Sequence, residues 1–110
     1  MKVKELVDEL NLEVIAAADM EKEIDGAYVG DLLSNVMARA KEGNLWITIQ
    51  GHQNVVAVAL LASVSALIVV EDFEIEEEAV QRAEEKGINI LRTSMTAYQL
   101  ISKLASLGIE

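Results

Sequence analysis

The chain has 110 residues, 52% of them hydrophobic, with no Cys and no Pro, and its 9 Lys and Arg against 19 Asp and Glu leave a net charge of −10. Without cysteine there is no disulfide framework, no thiolate zinc or iron–sulfur site and no cysteine nucleophile. The acidic balance disfavours nucleic acid and anionic membranes as partners, because binding by counterion release needs clustered Lys and Arg.

The length fits a single domain, residues 1–110, with enough apolar material for a core of its own. Met1 to Glu5 runs directly into an amphipathic pattern, so no signal peptide is read there. Val3, Leu6, Val7 and Leu10 share one helical face and predict a helix over 3–10, followed by a strand over 12–16. The charged stretch 19–25 ending in Gly26 reads as a connection, and 27–30 as a short strand. Asp31 is expected to N-cap a helix over 32–42 that carries Leu32, Leu33, Val36, Met37 and Ala40 and stops at Gly43.

Leu45 to Ile49 reads as a strand, Gly51 breaks it, and Asn54 is expected to cap a helix over 55–62. Val55 to Val70 is the most apolar region, but Ser63 and Ser65 interrupt it and it falls short of the roughly 18–20 apolar residues that span a bilayer. A cytoplasmic location is the default expectation. A strand over 66–70, a helix over 76–86 ended by Gly87, and a strand over 88–92 follow. Thr93 to Thr96 supply caps for a last helix bearing Tyr98, Leu100, Ile101, Leu104 and Ala105, with Gly108 beyond it.

Strands alternating with helices imply an α/β fold: three layers, a mostly parallel sheet of about five strands, and helices on both faces. The unbroken apolar character of 45–49 and 66–70 fits strands buried on both sides. From Glu71 to Lys86 there are eight acids and two bases, so −6 of the −10 lies on one helix and its approach. That segment reads either as a solvated outer face or as a docking surface for a protein partner.

In open parallel sheets ligands gather outside the carboxyl ends of the strands. The rule selects Gly30-Asp31, Gln50 to Asn54, Glu71 to Phe73 and Thr93 to Thr96. The ligand-binding residues expected there are Asp31, Gln50, Gly51, His52, Asn54 and Thr93, with His52 and the N–H groups after Gly51 placed to meet an anion and Gly51 allowing close approach of a ligand. His52, the only histidine, also reads as an ordinary loop residue or a helix-initiating contact. No spacing defines a metal site, and no Gly-rich phosphate loop, dinucleotide fingerprint or nucleophile elbow is present. No catalytic residue, metal or cofactor is therefore assigned. Trp46, inside an apolar strand, reads as core or as a subunit contact.

Three strings carry a resemblance: Tyr28 to Ser34, Trp46 to Ala59 (Trp-Ile-Thr-Ile-Gln-Gly-His-Gln-Asn at its start), and Gly87 to Leu91. Together they resemble the DRTGG-type domain family, in particular its short stand-alone members often encoded beside iron-only hydrogenase genes, and the related N-terminal domain of HPr kinase/phosphorylase. The resemblance implies a compact α/β module, often dimeric, usually regulatory rather than catalytic. It places the family's Asp-Arg pair at His52-Gln53 and its Thr-Gly-Gly at Val70-Glu71-Asp72, so this chain carries neither half of that signature. The resulting expectation is a non-catalytic regulatory or assembly module, a homodimer that takes a small anionic or nucleotide-like ligand at the strand ends. The alternatives are an interaction subunit docking through 71–86 onto a larger, hydrogenase-related enzyme, and a small hydrolase or transferase using His52.

Overall fold

Alternate residues of the central strands feed two separate cores, and this parity sets the layers. A computed structural model describes residues 1–110. Its elements are α1 (Val3–Leu10), β1 (Glu13–Ala16), β2 (Ala27–Val29), α2 (Leu33–Arg39), β3 (Leu45–Thr48), α3 (Asn54–Ala62), β4 (Ala66–Val69), α4 (Glu77–Lys86), β5 (Ile90–Arg92) and α5 (Ala97–Ser106). Trp46, Leu67 and Ile90 pack with Val36 of α2, Val55 and Ala59 of α3, and Ala79 and Ala83 of α4. Leu45, Ile47, Ala66, Ile68 and Leu91 pack on the other side with Val3 and Leu6 of α1 and Leu100 and Leu104 of α5. The fold is thus α/β with helices on both faces of a five-stranded, mostly parallel sheet.

The sheet order is β1-β5-β4-β3-β2. β2, β3, β4 and β5 are parallel neighbours in chain order, and β1 closes the far edge antiparallel to β5. Each crossover therefore steps one place in the same direction, and a constant hand puts α2, α3 and α4 on one face. Because the order of the parallel strands never reverses, the sheet lacks the crevice that a reversal opens in doubly wound folds.

A buried polar residue precedes each of β3, β4 and β5. Asn44 donates to the Asp25 carbonyl at 2.6 Å and accepts the Lys41 N–H at 2.9 Å. The Ser65 hydroxyl donates to the Glu23 carbonyl at 2.5 Å. Asn89 Oδ1 accepts the N–H groups of Ala18 and Asp19 at 2.8 and 3.0 Å, while Nδ2 donates to the carbonyls of Asp19 and Ser65 at 2.7 and 2.9 Å. These bonds fix the 18–25 connection against the strand starts, and no buried side-chain polar atom is left unpaired. Lys2 and Lys4 add exposed ion pairs to Glu21 at 2.8 and 2.6 Å.

Several sequence expectations need correction. The helix over 32–42 is shortened to 33–39, and its N-cap is Leu32 with no side-chain cap; Asp31 bonds elsewhere. Asn54 is the first residue of α3 rather than its cap, with Gln53 at the cap position. The expected strand over 88–92 begins at Ile90, because Ile88 and Asn89 serve the turn. Thr96 does cap α5, in a box with Gln99: the Gln99 N–H reaches Thr96 Oγ1 at 3.2 Å and the Thr96 N–H reaches Gln99 Oε1 at 3.0 Å. Trp46 is fully buried, with its indole N–H on the Gly30 carbonyl at 2.9 Å, so it belongs to the core.

Candidate functional site at the strand ends

Thr48 is the polar last residue of an otherwise apolar strand, and its hydroxyl needs a partner. It donates to Asp31 Oδ1 at 2.6 Å, and the same oxygen accepts the Ile49 N–H at 3.0 Å. The Gln50 side-chain amide donates to the Asp31 carbonyl, and the Gln50 N–H reaches Thr48 Oγ1 at 3.3 Å. Asp31 therefore ties the loop after β2 to the end of β3 rather than opening α2.

His52 and Asn54 form a second group. His52 Nδ1 accepts the Asn54 N–H at 3.1 Å, so that nitrogen is the unprotonated one and serves the first turn of α3. The Gln53 N–H goes to Glu76 Oε1 at 3.2 Å, and His52 Nε2 stands 3.8 Å from the same oxygen, both side chains half exposed. Gly51 is buried, and a Cβ there would strike the Glu74 carbonyl and lie 2.7 Å from Ile75 Cα. The close approach that requires glycine is thus made by the chain's own 74–75 backbone.

Thr93 belongs to a third group. Its N–H bonds the Val69 carbonyl at 3.0 Å, its hydroxyl accepts the Met95 N–H at 3.2 Å, and its carbonyl accepts the Asp72 N–H at 3.0 Å. The Glu71 N–H reaches the Met95 carbonyl at 2.9 Å. These bonds hold Glu71 and Asp72 in successive left-handed conformations, φ 59° and 54°, which cost an L-residue about 1–2 kcal/mol each.

Beside these groups a cleft of about 250 Å³ opens at the ends of β2, β3 and β4. Val29, Ile47, Ile49, Val70 and Ala97 form its apolar walls, and Asp31, Thr48 and Glu71 supply its polar atoms. Of the six residues singled out from the sequence, only Asp31 lines it. Gln50 is bonded to Asp31, Thr93 to the 71–72 backbone, and Gly51, His52 and Asn54 belong to the start of α3. Glu71 falls in a strand-end segment that the sequence rule selects, whereas Thr48, Ile49 and Val29 fall outside all four; the signal for Thr48 is a polar residue closing an apolar strand. No three His, Asp or Glu side chains converge as metal ligands. Of four larger hollows, two of about 440 and 430 Å³ lie at the opposite end of the sheet around Ser65 and Asn44, among the clamps described above, and one of about 450 Å³ lies along α4 between Gln53 and Arg82.

Sheet order and cleft together define a small α/β domain with a four-strand parallel core and a one-sided opening at its strand ends. Residues 5–107 match the DRTGG domain, and the chain belongs to this family. It is similar to the crystal structure of the CBS and DRTGG domains of the regulatory region of Clostridium perfringens pyrophosphatase, complexed with the activator diadenosine tetraphosphate: TM-score 0.75 and 18% identity over 92% of this chain. The chain spans 44% of the length of that regulatory-region chain. Comparison with curated proteins gives no match. The two glycine positions of the family's Thr-Gly-Gly, placed by resemblance at Glu71 and Asp72, are the two left-handed residues, which gives a backbone reason for glycine there. No helix is long and apolar enough to cross a membrane.

Proposed function

We propose that the chain is a non-catalytic regulatory or assembly module that works as a homodimer through the outer face of α3 and its neighbour α2. The observation that carries this reading is charge and exposure together. No Asp, Glu, Lys or Arg occurs between Glu42 and Glu71, yet Leu60 and Leu61 of α3 are 45% and 72% exposed and Met37 of α2 is 50% exposed. A helix apolar on every side belongs in an interior. In a chain of net −10, this face lets two copies meet without opposing carboxylates, and an isologous contact needs such self-complementarity. The regulatory half of the reading is supported by family membership and by the likeness of fold to a regulatory region.

Light scattering on the purified protein tests the proposal, with an expected mass of twice 12.0 kDa. Leu61→Glu is expected to halve that mass while leaving the circular dichroism spectrum unchanged. A wild-type monomer, or a variant that stays dimeric, would remove the α3 face from the account.

A nucleotide-like ligand held near Asp31, Gln50, Gly51, His52, Asn54 and Thr93 is the second reading, favoured by the activator in the similar regulatory region. Local electrostatics weigh against it. The Gln53 and Asn54 N–H groups that would meet a phosphate already bond Glu76 and His52, and the adjoining cleft carries Asp31 and Glu71. A hydrolase using His52 draws no support from the geometry, since Nδ1 is engaged by backbone and no nucleophile is bonded to the ring.

A further inference from the structure

Helix starts and loop ends beside parallel strands usually offer spare N–H donors to anions; here several are satisfied from within. His52 serves α3, Glu76 takes the Gln53 N–H, Asp31 takes the Ile49 N–H, and Thr96 with Gln99 closes the start of α5. Charge in the cleft lining is one-sided, with Asp31 and Glu71 and no Lys or Arg. Glu71 to Glu78 contains six carboxylates and no cation, and Arg92 at the end of β5 is held by Glu13 at 3.0 Å. Lys22, Arg39, Lys41 and Lys86 line the hollows at the opposite end of the sheet.

We infer that the strand-end cleft receives a lysine or arginine side chain from an apolar segment of a partner protein. The aliphatic stem lies against Val29, Ile47 and Ile49, and the cationic head meets Asp31, whose Oδ2 accepts no bond from the protein, and Glu71. Charge complementarity selects this occupant. A second copy docking isologously at this face would set Asp31 and Glu71 against their own equivalents, a like-charge contact. A free organic cation would need only the cleft, whereas the apolar surface runs on: Ile101, one turn beyond Ala97 on the same side of α5, is 40% exposed and Tyr98 is 83% exposed. The inference does not depend on the α3 dimer face, since it is read by different residues and a different observable.

The test is amide chemical-shift mapping of the full chain. The probes are a capped decapeptide of alternating leucine and arginine, the same peptide with glutamate for arginine, and n-butylguanidinium alone. The arginine peptide is expected to shift Val29, Ile49, Val70 and Glu71 saturably, and the glutamate peptide to leave them in place. Glu71→Gln is expected to weaken the arginine peptide about threefold, the scale of one exposed charge contact. Glu84→Gln on the outer face of α4 is expected to leave it unchanged. Equal weakening by both variants would reduce the binding to general attraction by an acidic protein and overturn the site. Butylguanidinium binding as tightly as the peptide would overturn the protein-segment assignment in favour of a free cation. Absence of saturable shifts around the cleft would overturn the inference outright.

Discussion

The two ends of the parallel strands are built on opposite plans. Where the strands begin, Asn44, Ser65 and Asn89 are buried and spend their hydrogen bonds on the 18–25 connection. Where they end, Val29 and Ile49 stay exposed, two successive residues are left-handed, and six carboxylates lie along 71–78, the connection after β4 and the first residues of α4. Most bonds at the first end join parts distant in sequence, up to 71 residues apart between Ala18 and Asn89. Buried hydrogen-bonded clamps and exposed apolar and acidic groups thereby lie at different ends of the sheet.

Asn89→Ala should break that contrast most severely. It strands the N–H groups of Ala18 and Asp19 and removes two donors from the Asp19 and Ser65 carbonyls, a loss of about 3 kcal/mol by the cost of unsatisfied buried groups. Urea unfolding should show a lower midpoint at unchanged slope. A midpoint within error of wild type would mean that the clamp contributes nothing.

Glu71→Gly sharpens the comparison from the other end. Relief of the left-handed conformation outweighs the extra entropy of glycine, so the variant should gain about 0.5 kcal/mol; Asp72→Gly should gain less, since Asp tolerates that region better. A loss of stability at Glu71→Gly would show that its carboxylate or its side-chain packing holds the loop.

The smallest effect is a pH dependence at the clamped end. The hydrogen bond from Lys2, then that from Lys4, lowers the Glu21 carboxyl from 4.5 to about 2. A depressed folded-state value means that the contribution is present above the unfolded value and disappears as pH falls from about 4.5 towards 2. Carboxyl NMR titration should place Glu21 near 2 in the wild type and return it towards 4.5 when Lys2 and Lys4 are both changed to Gln. An unchanged titration in that double variant would deny the pairing.

The parallel core was legible because two-sided burial leaves unbroken apolar runs at 45–47 and 66–70, and because Gly87 and Thr96 punctuate helices by local chemistry. Sheet order was not, since β2 is three residues whose direction is decided by Leu45, Trp46 and Ile47 on its neighbour. The site was read only in part for the same reason. Asp31 has the local form of a helix cap, and a hydroxyl 17 residues away outcompetes that role. Gly51 has the form of a ligand loop, and residues 74–75 fill its space. Both environments are set by partners remote in sequence and adjacent in the fold.

Recruitment of a protein rather than a phosphate at the strand ends is the proposal on which these readings turn. A thermal-shift comparison of diadenosine tetraphosphate, ATP and the leucine–arginine peptide tests it most directly, since a ligand selective for the folded state raises the melting temperature. The melting temperature is expected to rise with the peptide, less so in Glu71→Gln, and not with either nucleotide. A rise with nucleotide that disappears in His52→Ala would contradict the proposal and restore the strand ends as a nucleotide site.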